Sequence, residues 1–166
     1  MKKIIFVLLF GLLSGISIAQ NLPDYDAIKL DRKEDFNATA DSAALQASNF
    51  LFSTPLDKNN LDRLKSIQYI IRWMTGTPDY SFTLDEQATK FAKKNDDLLS
   101  QYKAAMTKYA LENKADAKDQ NKVKLNAVKL IIAYVKDEKN KVKLNAELKK
   151  AIEADDKGQL SAYLKI

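Results

Sequence analysis

The chain has 166 residues, no cysteine, no histidine, four glycines, three prolines and a net charge of +5. It therefore has no disulfide staple, and it lacks both the commonest metal ligand and the usual general base. So little glycine and proline also argues against a turn-rich β architecture.

Residues 1–19 read as a signal peptide. Lys2 and Lys3 precede an apolar run over 4–13, and Ser17-Ile18-Ala19 places small residues at the −3 and −1 positions of a peptidase site. The run falls short of the roughly 20 residues that a membrane-spanning helix needs. Cleavage after Ala19 would leave a chain starting at Gln20, with no transmembrane segment, exported to the periplasm or the medium. Charge is uneven along that chain. Residues 20–100 carry 10 basic and 13 acidic side chains, and residues 101–166 carry 15 and 9.

Residues 20–37 are expected to form an arm over the surface, and 38–166 a single helical domain. Ala40, Ala43, Ala44, Ala47 and Leu51 share a helical face over 38–53. Asn37-Ala38-Thr39 matches a glycosylation triplet, a match too frequent by chance to carry weight. Thr54-Pro55-Leu56-Asp57 has the chemistry of a helix start, so the next helix is expected from Pro55 or from Leu61. In it Leu61, Leu64, Ile67, Ile70, Ile71 and Met74 recur at three- and four-residue steps, broadened by Tyr69 and Trp73. This segment is expected to be the centre of the fold, closed by a left-handed Gly76 and by Pro78.

Tyr80, Phe82 and Leu84 alternate with polar residues and read as an extended loop pressing aromatics onto the core. Thr83 is expected to cap a short helix that turns Ala88, Phe91 and Ala92 inward. A clean stripe of Leu98, Leu99, Tyr102, Ala105, Met106 and Tyr109 predicts another helix. Beyond Val123 the apolar register persists, but 136–141 contains no apolar residue, so a break near Asp137–Lys141 is expected over one long helix. Asn-Lys-Val-Lys-Leu-Asn-Ala occurs at 121–127 and again at 140–146. Gly158 should end the last full helix, before a short one holding Leu160, Tyr163 and Leu164. The fold class is all-α, one compact bundle of five or six helices.

Three constellations bear on function. Ser100 and Lys103 match S-x-x-K without its companion motifs, so the match is set aside. Asp79, Asp85 and Glu86 stand near Trp73 and Tyr80, a possible pocket at a helix end where paired carboxylates could catalyse hydrolysis. The same acids suit a turn and a helix start, which is the commoner use. Lys122, Lys129, Lys136, Lys143, Lys150 and Lys157 recur every seven residues. The line is either a solvated face or a contact for an anionic surface, and Lys129, Lys136, Lys143 and Lys150 are expected to be exposed and mostly unpaired.

The leader ending in Ala19-Gln20, together with Trp73-Met74-Thr75-Gly76-Thr77-Pro78-Asp79-Tyr80, resembles small exported proteins of Gram-negative bacteria. The resemblance covers those two stretches and implies export without a particular activity. The expected function is that of a non-enzymatic exported helical protein acting through a binding surface. The alternative is a small carboxylate-dependent envelope hydrolase. No cofactor or metal is expected, and the partner is an anionic envelope component or another protein rather than nucleic acid.

Overall fold

Ala40, Ala43, Ala44 and Ala47 give α1 (Ala38–Ser53) a buried face with little side-chain bulk, against which two other helices pack closely. Asn37 starts α1 by accepting the N–H groups of Thr39 and Ala40. The computed structural model describes residues 22–93 and 95–166, so the expected leader and its cleavage before Gln20 lie outside the described residues. The described residues are all-α without a strand. After α1 come α2 (Leu61–Gly76), α3 (Glu86–Thr89), α4 (Asp96–Glu112), α5 (Gln120–Lys136), α6 (Ala146–Asp156) and α7 (Leu160–Tyr163). Short 3₁₀ turns at Lys33–Asp35, Lys90–Ala92 and Glu138–Asn140 join them. None of these helices is long and apolar enough to cross a membrane.

The centre is α4, not the Leu61–Gly76 segment that its apolar density suggests. Leu98, Tyr102, Ala105 and Met106 of α4 join a core with α5, α6 and the 3₁₀ turn at Lys90–Ala92. Ala104 and Leu111, on its other side, join a second core with α1, α2 and the N-terminal arm. Tyr25 of that arm is buried against Tyr69, with ring centroids 4.8 Å apart. A helix covered on both sides is the natural hinge of two layers. One-sided hydrophobic counting undervalued α4 because its second face is built of Gln101, Ala104 and Thr107, all buried.

α2 also turns differently from its aliphatic pattern. Its buried residues are Arg63, Ser66, Tyr69, Ile70 and Trp73, while Leu61, Leu64 and Ile71 are 72%, 46% and 37% exposed. The cause is Arg63, only 3% exposed. Its guanidinium donates to the backbone oxygens of Leu51 at 2.9 Å and Thr54 at 3.1 Å, and to Gln101 Oε1 at 2.9 Å. Gln101 in turn donates Nε2 to the Leu51 oxygen at 3.0 Å. The last carbonyls of α1 have no intrahelical donors and carry the negative end of its dipole, so a buried cation suits them without a carboxylate. Pinning Arg63 inward rotates Leu64 and Ile71 out.

Three expected helix signals act through other residues. Thr54 ends α1 by donating its hydroxyl to the Phe50 oxygen at 2.8 Å; α2 starts only at Leu61, capped by Asn60. Asp85, not Thr83, caps α3 by accepting the Ala88 N–H at 3.0 Å. Gly76 is not left-handed: only Gly158, Lys141 and Lys165 have positive φ among the described residues. Gly76 is glycine because the Phe36 ring lies where a Cβ would be. Other local expectations hold, with α1 over Ala38–Ser53, a break after Lys136 and Gly158 at φ +67° behind α6, but the described residues form seven helices and not five or six, α3 and α7 being four residues each.

The repeated heptapeptide adopts two conformations. At 121–127 it is helical within α5, its start capped by Asp119 and both Val123 and Ala127 buried. At 140–146 it runs through a left-handed Lys141 at φ 54° into an extended segment ending at the cap Asn145. Tertiary bonds decide the difference. The Asn140 oxygen accepts the Leu56 N–H at 3.2 Å, and Asn140 Nδ2 donates to the Tyr134 oxygen at 2.8 Å. Asn145 Nδ2 donates to the Phe91 oxygen at 2.7 Å, while its Oδ1 caps Leu148.

Candidate functional site

The five residues expected at the end of α2 divide between three places. Trp73 is fully buried, with Tyr80 and Phe82 of the following extended loop packed on its indole at centroid distances of 5.4 and 5.8 Å. Its Nε1 donates to Asp41 Oδ1 of α1 at 3.0 Å. Asp79, exposed in the same loop, acts electrostatically on both Asp41 and Tyr80. Asp85 is taken up by its capping role and by Lys124, whose Nζ is 3.4 Å from Oδ2. Glu86 lies elsewhere, on a cleft of about 510 Å³ shared with Lys90, Lys93, Asp96 and Glu147.

The carboxylate with unusual chemistry is Asp41, which the sequence reading passed over. Burial raises its pKa above the ordinary carboxylate value, aided by the negative charge of Asp79 and opposed by the Trp73 hydrogen bond and by Lys114. The only sequence signal was an acid in the first turn of a helix whose buried face is mostly alanine. Asp85 moves the other way, lowered chiefly by the Ala88 N–H and then by Lys124. In the cleft, Glu147 is held below the usual range by Lys150, 2.7 Å away, with a longer contact from the Tyr163 hydroxyl at 3.4 Å. No group of three or more acids among the described residues is arranged to hold a metal ion.

The six lysines at seven-residue spacing are all exposed. They do not form one helical line: Lys122, Lys129 and Lys136 ride on α5, Lys143 on the extended segment, Lys150 within α6 and Lys157 at its end. Of the four expected to be mostly unpaired, Lys136 and Lys150 are paired, and so are Lys122 and Lys157. Lys122 meets Asp116, Lys136 meets Asp156 across the α5–α6 gap, Lys150 meets Glu147 and Lys157 meets Glu153, all at 2.6–2.7 Å. The acids that the heptad count ignored sit three, four or six residues away, or on the facing helix. Such exposed pairs add little stability, but they cancel much of the field a basic stripe would project.

An exposed apolar strip runs along α2. Leu64, Ile67, Ile71 and Met74 follow one another at steps of three, four and three, on the flank that borders α4. Two hollows mark this flank. One of about 40 Å³ is lined by Leu56, Asp57, Lys58, Arg63, Leu64, Ile67 and Asp97. The other, of about 190 Å³, is lined by Ile71, Met74, Thr75, Phe82, Leu84 and Lys103. Leu84, 49% exposed, extends the apolar strip beyond the helix. The groove thus carries Asp57 and Asp97 together with Lys58 and the buried Arg63 at one end, and Lys103 at the other.

No protein-family model matches the chain, no curated protein is significantly similar to it, and no solved structure matches its fold.

Proposed function

We propose that this chain is a non-enzymatic exported helical protein that works through a binding surface, and that the surface is the groove along α2 and α4. One observation carries the reading: Leu61, Leu64, Ile71 and Leu84, all large aliphatics, are 37–72% exposed along one element and the loop that follows it. Exposed apolar side chains in a continuous strip mark interaction sites, and spacing of this kind suits the apolar face of another helix. Export rests on the leader pattern ending at Ala19. Intact mass of material recovered from the envelope or medium should correspond to a chain starting at Gln20; a full-length chain in the membrane fraction would remove that part of the proposal.

The binding surface is tested by titrating an amphipathic helical peptide, with leucines at i, i+3 and i+7, into isotopically labelled protein. Amide shifts should cluster at Leu64, Ile67, Ile71, Met74, Phe82 and Leu84 and vanish in Leu64→Glu/Ile71→Glu. Shifts confined to the Glu86–Glu147 cleft, or none, would count against the groove.

A hydrolase reading has one observation in its favour, the raised carboxylate of Asp41 with Asp79 as a second acid beside it. A folded Asp41→Asn variant that loses a measurable hydrolytic activity of the wild type would make that reading the better one.

A further inference from the structure

We infer that the occupant of the α2–α4 groove is a second copy of this chain, in an antiparallel, two-fold symmetric pair. The inference rests on the groove being a binding surface and names its partner.

The apolar residues have the positions such a pairing needs. Leu64, Ile67, Ile71 and Met74 occupy alternating a and d sites of a heptad. In an antiparallel pair each a residue faces a d residue. One register, centred between Ile67 and Ile71, satisfies all four at once: Leu64 meets Met74 of the second copy, and Ile67 meets its Ile71. Ile67 and Met74 are half-buried against their own core, so they floor the strip while Leu64 and Ile71 stand out from it.

Charge independently selects the same arrangement. Leu64 and Ile67 line one hollow with Asp97, whereas Ile71 and Met74 line the next with Lys103. The carboxylate of Asp97 and the ammonium of Lys103 are therefore set apart along the groove, and α2 and α4 run in the same sense beside it. A parallel pair would set Asp97 against Asp97 and Lys103 against Lys103. The antiparallel pair sets Asp97 against Lys103 twice, once on each side of the axis. Self-complementarity of this kind is what an isologous interface requires. At the Asp97 end, Asp57 and Lys58 offset one another, and the buried Arg63 turns its guanidinium to Leu51, Thr54 and Gln101.

The strip is short: 16 residues of helix extend about 24 Å, which limits the area to the lower end of specific interfaces. Association should therefore be reversible, forming and dissolving over the micromolar range.

Sedimentation velocity of the purified protein over a micromolar to submillimolar series tests this. A monomer–dimer equilibrium is expected. Asp97→Lys and Lys103→Asp should each weaken it roughly tenfold or more, because each change places like charges on both sides of the axis. The double variant Asp97→Lys/Lys103→Asp should restore it, and an equimolar mixture of the two single variants should associate better than either alone. Leu64→Glu/Ile71→Glu should remain monomeric, with a circular dichroism melt reporting that it is folded. A monomer at every concentration that still binds the amphipathic peptide would overturn this inference and leave the groove as a site for another protein's helix. A monomer that binds neither would overturn both. A dimer indifferent to the charge reversals and to Leu64→Glu/Ile71→Glu would place the contact on another face.

Discussion

Single residues here are often placed for reasons other than their type. Gly76 reads in the sequence as a left-handed helix stop, yet its function is to admit the Phe36 ring. Gly76→Ala should force that ring off the end of α2 and cost about 1–3 kcal/mol, the usual range for overpacking. If displacement of Phe36 is the whole cost, adding Gly76→Ala to Phe36→Ala should change the unfolding midpoint little, a non-additive cycle. Additive losses would mean that the glycine serves the backbone instead. Asp41 makes a second residue-scale case. Its folded pKa lies above the unfolded value, so its contribution is fully present below the ordinary carboxylate range and is lost as pH rises through the raised value. Asp85 has the opposite sign: its contribution is present above that range and lost as pH falls through the lowered value. Asp41→Asn keeps an acceptor for the Trp73 N–H while removing the buried charge. Chemical denaturation at pH 4 and pH 7 should show the variant gaining on the wild type at the higher pH. An equal difference at both pH values would refute the assignment. Tyr69, buried and raised to about 12, behaves in the same sense as Asp41 at the alkaline end. Its stabilising contribution is complete below pH ~10, the ordinary tyrosine value, and disappears as pH approaches its raised value.

At the scale of elements, one heptapeptide in two conformations separates local from tertiary control. Asn126 sits inside α5, bonding its side chain only to the Lys122 oxygen, whereas Asn145 at the equivalent place caps α6 and reaches Phe91. Asn145→Ala should cost about 1 kcal/mol or more, the price of a lost cap and a lost tertiary bond. Asn126→Ala should be neutral or slightly stabilising, since alanine is the better residue inside a helix. Equal effects in thermal melts would contradict the two environments. Similarly, Lys141→Gly should gain about 1 kcal/mol by relieving the left-handed strain. This is also where the sequence was least legible. Periodicity located α1, α4 and the break after Lys136, because alanine stripes and apolar stripes were unambiguous there. It left the start of α2 open between Pro55 and Leu61 and misplaced that of α3, because threonine, asparagine and aspartate at neighbouring positions offer equivalent capping chemistry and only the tertiary path selects among them.

For the whole molecule, the decisive feature is a polar one that hydrophobic counting could not weigh. Arg63 and Gln101 tie the end of α1 to α2 and α4, and Tyr134 adds a bond from α5 to the Thr54 oxygen at 2.8 Å. Arg63→Ala would leave Gln101 Oε1 without a donor in the interior, at a cost of about 1–3 kcal/mol, while the Leu51 and Thr54 oxygens keep Gln101 Nε2 and the Tyr134 hydroxyl. The aliphatic spacing of the segment leaves Arg63 out of account, and no other signal in the sequence places it inward. Once Arg63 faces inward, the aliphatic flank of α2 must face outward, and the candidate binding surface follows from that single rotation. Of the features that stand out in the sequence, four of the six lysines are held in ion pairs and Asp85, of the acids after α2, in a cap. The most direct test is the unfolding free energy of Leu64→Gln/Ile71→Gln, measured in denaturant at a concentration low enough to keep the chain monomeric. If α2 holds this flank free for a partner, the pair should shift stability by no more than about 0.5 kcal/mol per site, as surface substitutions do. A loss of about 2–5 kcal/mol per site, the range for buried aliphatics, would show that α2 buries its leucine and isoleucine face and that the groove does not exist.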